Sequence, residues 1–124
     1  MRRFAIGLFL VLHGLAHAAA GTAAQDVPRG IAAALPAGAS APFATLLFIV
    51  AMPGFVAAGF GVWGVVGLRR IWGPLTSSAV MASALLIAFY SPPPAQVVAG
   101  LVLDGVALAL SGAFSVGVWA WRTT

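Results

Sequence analysis

Two histidines, His13 and His17, stand four residues apart inside the apolar run "FAIGLFLVLHGLAHAAAG", and one acid, Asp104, sits inside another, "QVVAGLVLDGVALALSG". Imidazoles at i and i+4 rise from the same side of a helix. Such a pair can grip one divalent metal edge-on, and a carboxylate from another helix would complete three ligands. The spacing is that of HExxH zinc proteases, but position 14 is glycine where that motif places its glutamate, so the protease reading fails. The pair cannot flank one haem, because both rings point the same way; one histidine with Met52 or Met81 could serve as axial ligands. The plain alternative is structural: an imidazole that hydrogen-bonds Asp104 or a backbone carbonyl satisfies a buried polar group and does nothing more. Between these lies a proton, quinone or small-solute site. No nucleophile–base pair, phosphate loop or dinucleotide fingerprint accompanies the cluster, which weighs toward a non-enzymatic role. Met52, Met81 and the phenylalanines are expected to pack, and Ser83, Ser111 and Ser115 to bond back to their own helices.

Composition says what surrounds these residues. Of 124 residues, 62% are hydrophobic and only 6% charged, with mean hydropathy +1.09. A water-soluble domain carries about 25% charged residues, so this chain belongs in a bilayer. A net charge of +4 could suggest nucleic acid, but the six arginines are scattered singly or in pairs and form no basic stripe. The chain has no cysteine, which removes disulfides, iron–sulfur clusters and thiolate-bound zinc.

A membrane-crossing helix needs about 20 apolar residues, and four stretches qualify, roughly 4–22, 43–67, 74–91 and 95–121. They predict a single all-α domain over residues 1–124, a four-transmembrane-helix bundle. A Gly/Pro-rich outer loop separates spans one and two, and within it "RGIAAALP" could form a short interfacial helix. "LRRIWGP" is expected to link spans two and three, and "SPPPAQ" spans three and four, since a run of prolines cannot continue a helix. If the spans alternate, Arg2, Arg3, Arg69, Arg70 and Arg122 fall on one side and only Arg29 on the other. That bias places both termini in the cytoplasm, with Trp63, Trp72, Trp119 and Trp121 as anchors near the same interface. The opening also has the n-region, h-region and small-residue site of a secretory signal. A retained first span is the preferred reading, because a histidine breaks the apolar core.

Small residues mark where membrane helices approach closely. Gly7, Gly14 and Gly21 recur at sevens and stay within about 40° of one another around a helix, so His13 and His17 beside them should face the bundle. Span two offers Gly54, Ala58, Gly61 and Val65 on one side, with Pro53 expected to bend it. Span four offers Gly100, Asp104, Ala107, Ser111 and Ser115 as one small, polar stripe. An intramembrane carboxylate points inward and has a partner. At about 1.5 Å per residue, His13 and Asp104 come out at similar depth, each roughly nine residues from the outer surface, with His17 nearer it. Tyr90 and Gln96 should close the same side.

The layout also carries a resemblance. "RRFAIGLFLVLHGLAHAAAG" resembles the opening of the DoxX-like membrane proteins, and "GVVGLRR" is similar to that family's Gly-Leu-basic junction. Gly14 and the junction Arg69-Arg70 match directly; where such proteins often carry a lysine or other polar residue, this chain has His17. The resemblance implies a four-span fold and a helper role beside a quinone-linked or other redox enzyme. Together these readings lead to the expectation of an accessory subunit in a larger assembly of the bacterial inner membrane. Lipid and other membrane subunits, or further copies of the chain, are its expected partners, with no nucleic acid. The alternatives left open are a proton, quinone or small-solute site at His13, His17 and Asp104, and a metal- or haem-binding protein.

Overall fold

The structure is a computed structural model that describes residues 1–24, 34–36, 38–90 and 94–120, with side chains described except at 19–24 and 113–120. Four helices follow one another: α1 (Arg2–Ala24), α2 (Ser40–Val62), α3 (Leu68–Tyr90) and α4 (Pro94–Ala120), and no strand occurs among the described residues. Three stretches, Ser40–Val62, Leu68–Tyr90 and Pro94–Gly112, are long and apolar enough to cross a membrane. Most of the outer loop, including the expected interfacial helix, lies outside the described residues. So do Arg29 and Arg122, while the surroundings of Gly21, Ser115, Trp119 and Trp121 fall beyond the described side chains.

The helix boundaries differ from the sequence expectation at the second connection. α2 ends at Val62, not at residue 67, and "LRRIWGP" is the first part of α3 rather than a link. The stop is local. Gly64 adopts φ 96°, the left-handed region that a Cβ disfavours. Its N–H then donates to the carbonyl of Gly61 at 3.0 Å, and that of Val65 to Phe60 at 3.1 Å, two carbonyls that the helix end would otherwise strand. Gly67, at φ 87°, turns the chain into α3. Val65 is therefore an exposed turn residue and does not continue the small face of α2. Pro74 sits inside α3, at the loss of one backbone bond, and Pro94 opens α4, where a missing N–H costs nothing.

α2 lies between α1 and α3 and packs along both, whereas α4 rests mainly on α3. Its two neighbours use different glycines. A Cβ on Gly61 would meet Trp72 Cβ at 2.6 Å and the Leu68 carbonyl at 2.8 Å, and one on Gly54 would meet Ala79 Cβ at 3.0 Å, both toward α3. A Cβ on Gly59 would lie 2.7 Å from the Gly7 carbonyl on α1. Gly7 in turn sits under the indole of Trp63, whose Nε1–H donates to the Phe4 carbonyl at 3.2 Å. The shared core draws Leu10 from α1, Phe55, Ala58 and Val62 from α2, Ala79 and Val80 from α3, and Ala107 from α4. Three of its members, Ala58, Ala79 and Ala107, are fully buried, as is Ala51 in a neighbouring cluster with Leu47 and Ala82. Small side chains thus let the backbones close in, which is how helices associate where lipid supplies no hydrophobic drive. Leu8, Leu12 and Leu15 face outward from α1, and Leu101, Val102 and Val106 from α4.

Candidate functional site

The site forms where α1 meets α4. Gly14 lets α2 come close to α1, since a Cβ there would lie 2.9 Å from the Met52 carbonyl and 3.0 Å from Phe55 Cβ. The ring of Phe55, itself fully buried, then reaches both histidines. It meets His13 edge-on, centroids 4.4 Å apart at 68°, and stacks against His17 at 5.7 Å and 4°. Phe9 stacks on His13 from the turn below, at 5.9 Å. These contacts hold two imidazoles 5.0 Å apart, with their ring planes at 67° to each other. From α4, Asp104 completes the group as part of the buried face that includes Ala107 and Ser111.

His13 Nε2–H donates to Asp104 Oδ1 at 2.9 Å, joining residues 91 positions apart. His13 is 6% exposed and Asp104 3%, so the pair is sealed from the surface, while His17 is half-buried. One ligand atom from each of His13, His17 and Asp104 lies within 4.8 Å of the other two. The arrangement therefore offers two imidazole nitrogens and a carboxylate oxygen converging from two helices.

Its hydrogen bonding is incomplete in a specific way. His13 Nδ1, His17 Nε2 and Asp104 Oδ2 are buried without a partner, and so is Ser83 Oγ on α3. A buried polar atom left unsatisfied costs about 1–3 kcal/mol. A contact serving only to neutralise one acid would need one imidazole; His17 and three unspent polar atoms go beyond that requirement. Ser83 departs from expectation here. Thr45, Thr76 and Ser78 each donate to the carbonyl four residues back, and Ser111 to Leu108, as hydroxyls in apolar helices do. Ser83 is fully buried and does not.

Tyr90 and Gln96 play no direct part in this group. The Tyr90 hydroxyl donates to the Ser40 carbonyl, tying the end of α3 to the start of α2, and its ring packs with Ala44, Leu86 and Phe89. Gln96 is exposed on the first turn of α4. Gly7 and Gly14 pack as described, and Gly100 packs on Ile87, whose Cδ1 would be 2.9 Å from an added Cβ. Met81 is 64% exposed, whereas His13 is 6% exposed. With His13 Nε2 directed at Asp104 and Phe9 and Phe55 crowding the ring, a porphyrin has no approach to that nitrogen. Sequence reasoning missed Phe55, an aromatic among many, and gave Ser83 the wrong partner. The signal for Ser83 was its register on α3, legible only once α3 and α4 are aligned. No protein-family model matches the chain, and neither a curated protein nor a solved structure matches it.

Proposed function

We propose that this chain is a four-span integral membrane protein of a bacterial cytoplasmic membrane, and that it binds a small polar or cationic species at His13, His17 and Asp104. The observation that carries the reading is the convergence of three ligand atoms within 4.8 Å with unspent capacity on all three side chains. An intramembrane ionisable group is costly to retain and by default marks a site. α1 is the fourth span in this reading, interrupted only by the two histidines after Arg2 and Arg3. Arg69 and Arg70 open α3, which runs in the same direction as α1, so the two arginine pairs share one face of the membrane. That face is cytoplasmic, and both termini lie there.

The absence of native cysteine makes the topology directly testable. A single cysteine at Val66, 96% exposed in the turn between α2 and α3, is expected to react with an impermeant maleimide only after the membrane is opened. One at Ala39, just before α2, should react in intact cells. The opposite pattern sinks the proposed orientation. For the site, native mass spectrometry of the chain extracted in mild detergent should reveal a bound small species that Asp104→Asn lacks. Identical spectra from wild type and variant would count against a binding role.

A second reading, an accessory subunit of a larger and possibly redox-linked membrane complex, draws support from α4. Its outer side carries Val98, Leu101, Val102 and Val106, and nothing lies within 4 Å of a Cβ added at Gly105 or Gly112. The resemblance to the DoxX-like proteins points the same way. Stoichiometric copurification of a second membrane protein in gentle detergent is its expected signature.

A further inference from the structure

We propose that the species bound is one divalent transition-metal ion, zinc being the best chemical match, ligated by His13, His17 and Asp104, with Ser83 hydrogen-bonding the fourth, non-protein ligand. This rests on the reading of the cluster as a binding site and names what occupies it.

The donor set decides the class of ion. Two imidazole nitrogens and one carboxylate oxygen suit zinc and its first-row neighbours. Magnesium and calcium call for six or more oxygens, which these helices do not bring to the site. Distance fits as well. Zinc bonds nitrogen and oxygen at about 2.0–2.2 Å, which places tetrahedral ligand atoms about 3.3 Å apart. His13 Nε2 and Asp104 Oδ1, at 2.9 Å, are close to that separation. Ligation through Nε2 would require its proton to sit on His13 Nδ1, which is buried without another partner. One ligand atom from each of the three side chains lies within 4.8 Å of the others. Phe9 and Phe55 hold the histidine rings against alternatives, which is what supporting contacts do around a metal centre.

Charge balance in the bilayer points to the fourth ligand. A divalent ion on two neutral imidazoles and one carboxylate leaves one positive charge, which hydrocarbon disfavours. Metal-bound water gives up a proton far more readily than bulk water, and the resulting hydroxide would bring the site to neutrality. Such a ligand needs a hydrogen-bond partner, and Ser83 is placed to provide one. α3 and α4 run antiparallel, with Gly100 against Ile87, and Ala107 sharing the core with Ala79 and Val80. One turn inward from the Gly100–Ile87 contact brings Ser83 level with Asp104. Its hydroxyl is buried and free of the bond to its own helix that Thr76 and Ser78 make.

The test uses the full chain without a histidine tag, purified in mild detergent, stripped with a chelator and titrated with Co2+. The expected result is one Co2+ per chain with the visible bands of a four-coordinate ion, displaced by Zn2+, and no sulfur charge-transfer band. Asp104→Asn and His17→Gln should each weaken binding by about 100-fold or more while helix content by circular dichroism is retained. Ser83→Ala should keep the stoichiometry, shift the bands and weaken binding about 10-fold, the effect of losing an outer-shell partner. X-ray absorption at the zinc edge of the wild-type protein, which needs no variant, should show two imidazoles and light-atom oxygen ligands. A folded wild type that binds neither ion overturns the metal assignment, as do bands that persist unchanged in both ligand variants. A Ser83→Ala protein identical to wild type overturns the role given to Ser83. If the metals fail but native mass spectrometry finds another species that Asp104→Asn lacks, the metal assignment falls and the binding site stands; if both fail, both fall.

Discussion

His13→Leu and Asp104→Val, made singly, are each expected to destabilise the chelator-treated protein by about 2–3 kcal/mol, and together by much less than their sum. Each single change leaves the partner's polar atom buried with nothing to bond, because the hydrogen bond at 2.9 Å is the one that each side chain makes to the other. The double change removes both and fills the space with apolar atoms, so it should cost about 2–3 kcal/mol, no more than one single change. His13→Leu should be the worse single change, since it strands a carboxyl, the group with the larger desolvation penalty. Hydrogen bonds between membrane helices average well under ~1 kcal/mol in double-mutant cycles. A carboxylate partner should lift this coupling to about 1–3 kcal/mol. Equilibrium unfolding in mixed detergent micelles measures all four corners of the cycle. Additive losses would mean that the two residues do not depend on one another. A double variant that is stable yet binds no metal would show that the cluster is retained for something other than folding.

Gly59→Leu is expected to cost about 3 kcal/mol or more and to abolish the site, although residue 59 touches none of its ligands. The added Cβ would lie 2.7 Å from the Gly7 carbonyl, 2.7 Å from Val11 Cγ2 and 3.3 Å from the Val11 nitrogen. Two of these are backbone atoms, which no change of rotamer can move aside. α1 must therefore back away from α2, and His13 and His17 ride on α1. Lipid offers the separated faces an equally apolar environment, so little drives the helices together again. Gly105→Leu on α4 is the control, because an added Cβ there meets nothing within 4 Å. Unfolding midpoints in micelles and Co2+ binding check both variants; near-equal behaviour of the two would refute the close-packing account.

Gly59 also shows how far the sequence could be read. Gly54, Ala58 and Gly61 stand out as one small face, and Gly54 and Gly61 do meet α3. Nothing in the spacing says that α2 is clasped on two sides, so the glycine that faces α1 went unnoticed. The end of α2 was legible in principle: Gly64 after Trp63 is a left-handed stop, masked by the apolar "VVGL" that continues the hydropathy beyond it. The polar stripe of α4 was plain, because Gly100, Asp104, Ala107 and Ser111 recur at helical spacing, and the last three form its buried side.

By itself the sequence determined that the chain is helical and apolar enough for a membrane, and that its apolar runs carry two histidines and an acid. A bilayer imposes those features locally: each span must be apolar and must satisfy its own backbone. Tertiary structure decided which atoms face one another. His13 and Asp104 are 91 residues apart, and their 2.9 Å separation depends on the rotation and approach of α1, α2, α3 and α4. Those are set by where glycines and alanines let backbones touch, a property of pairs of helices that no single helix encodes. The same packing left His17, Asp104 and Ser83 with polar atoms unspent, and turned "LHGLAH" from two histidines in a greasy run into one half of a candidate metal centre.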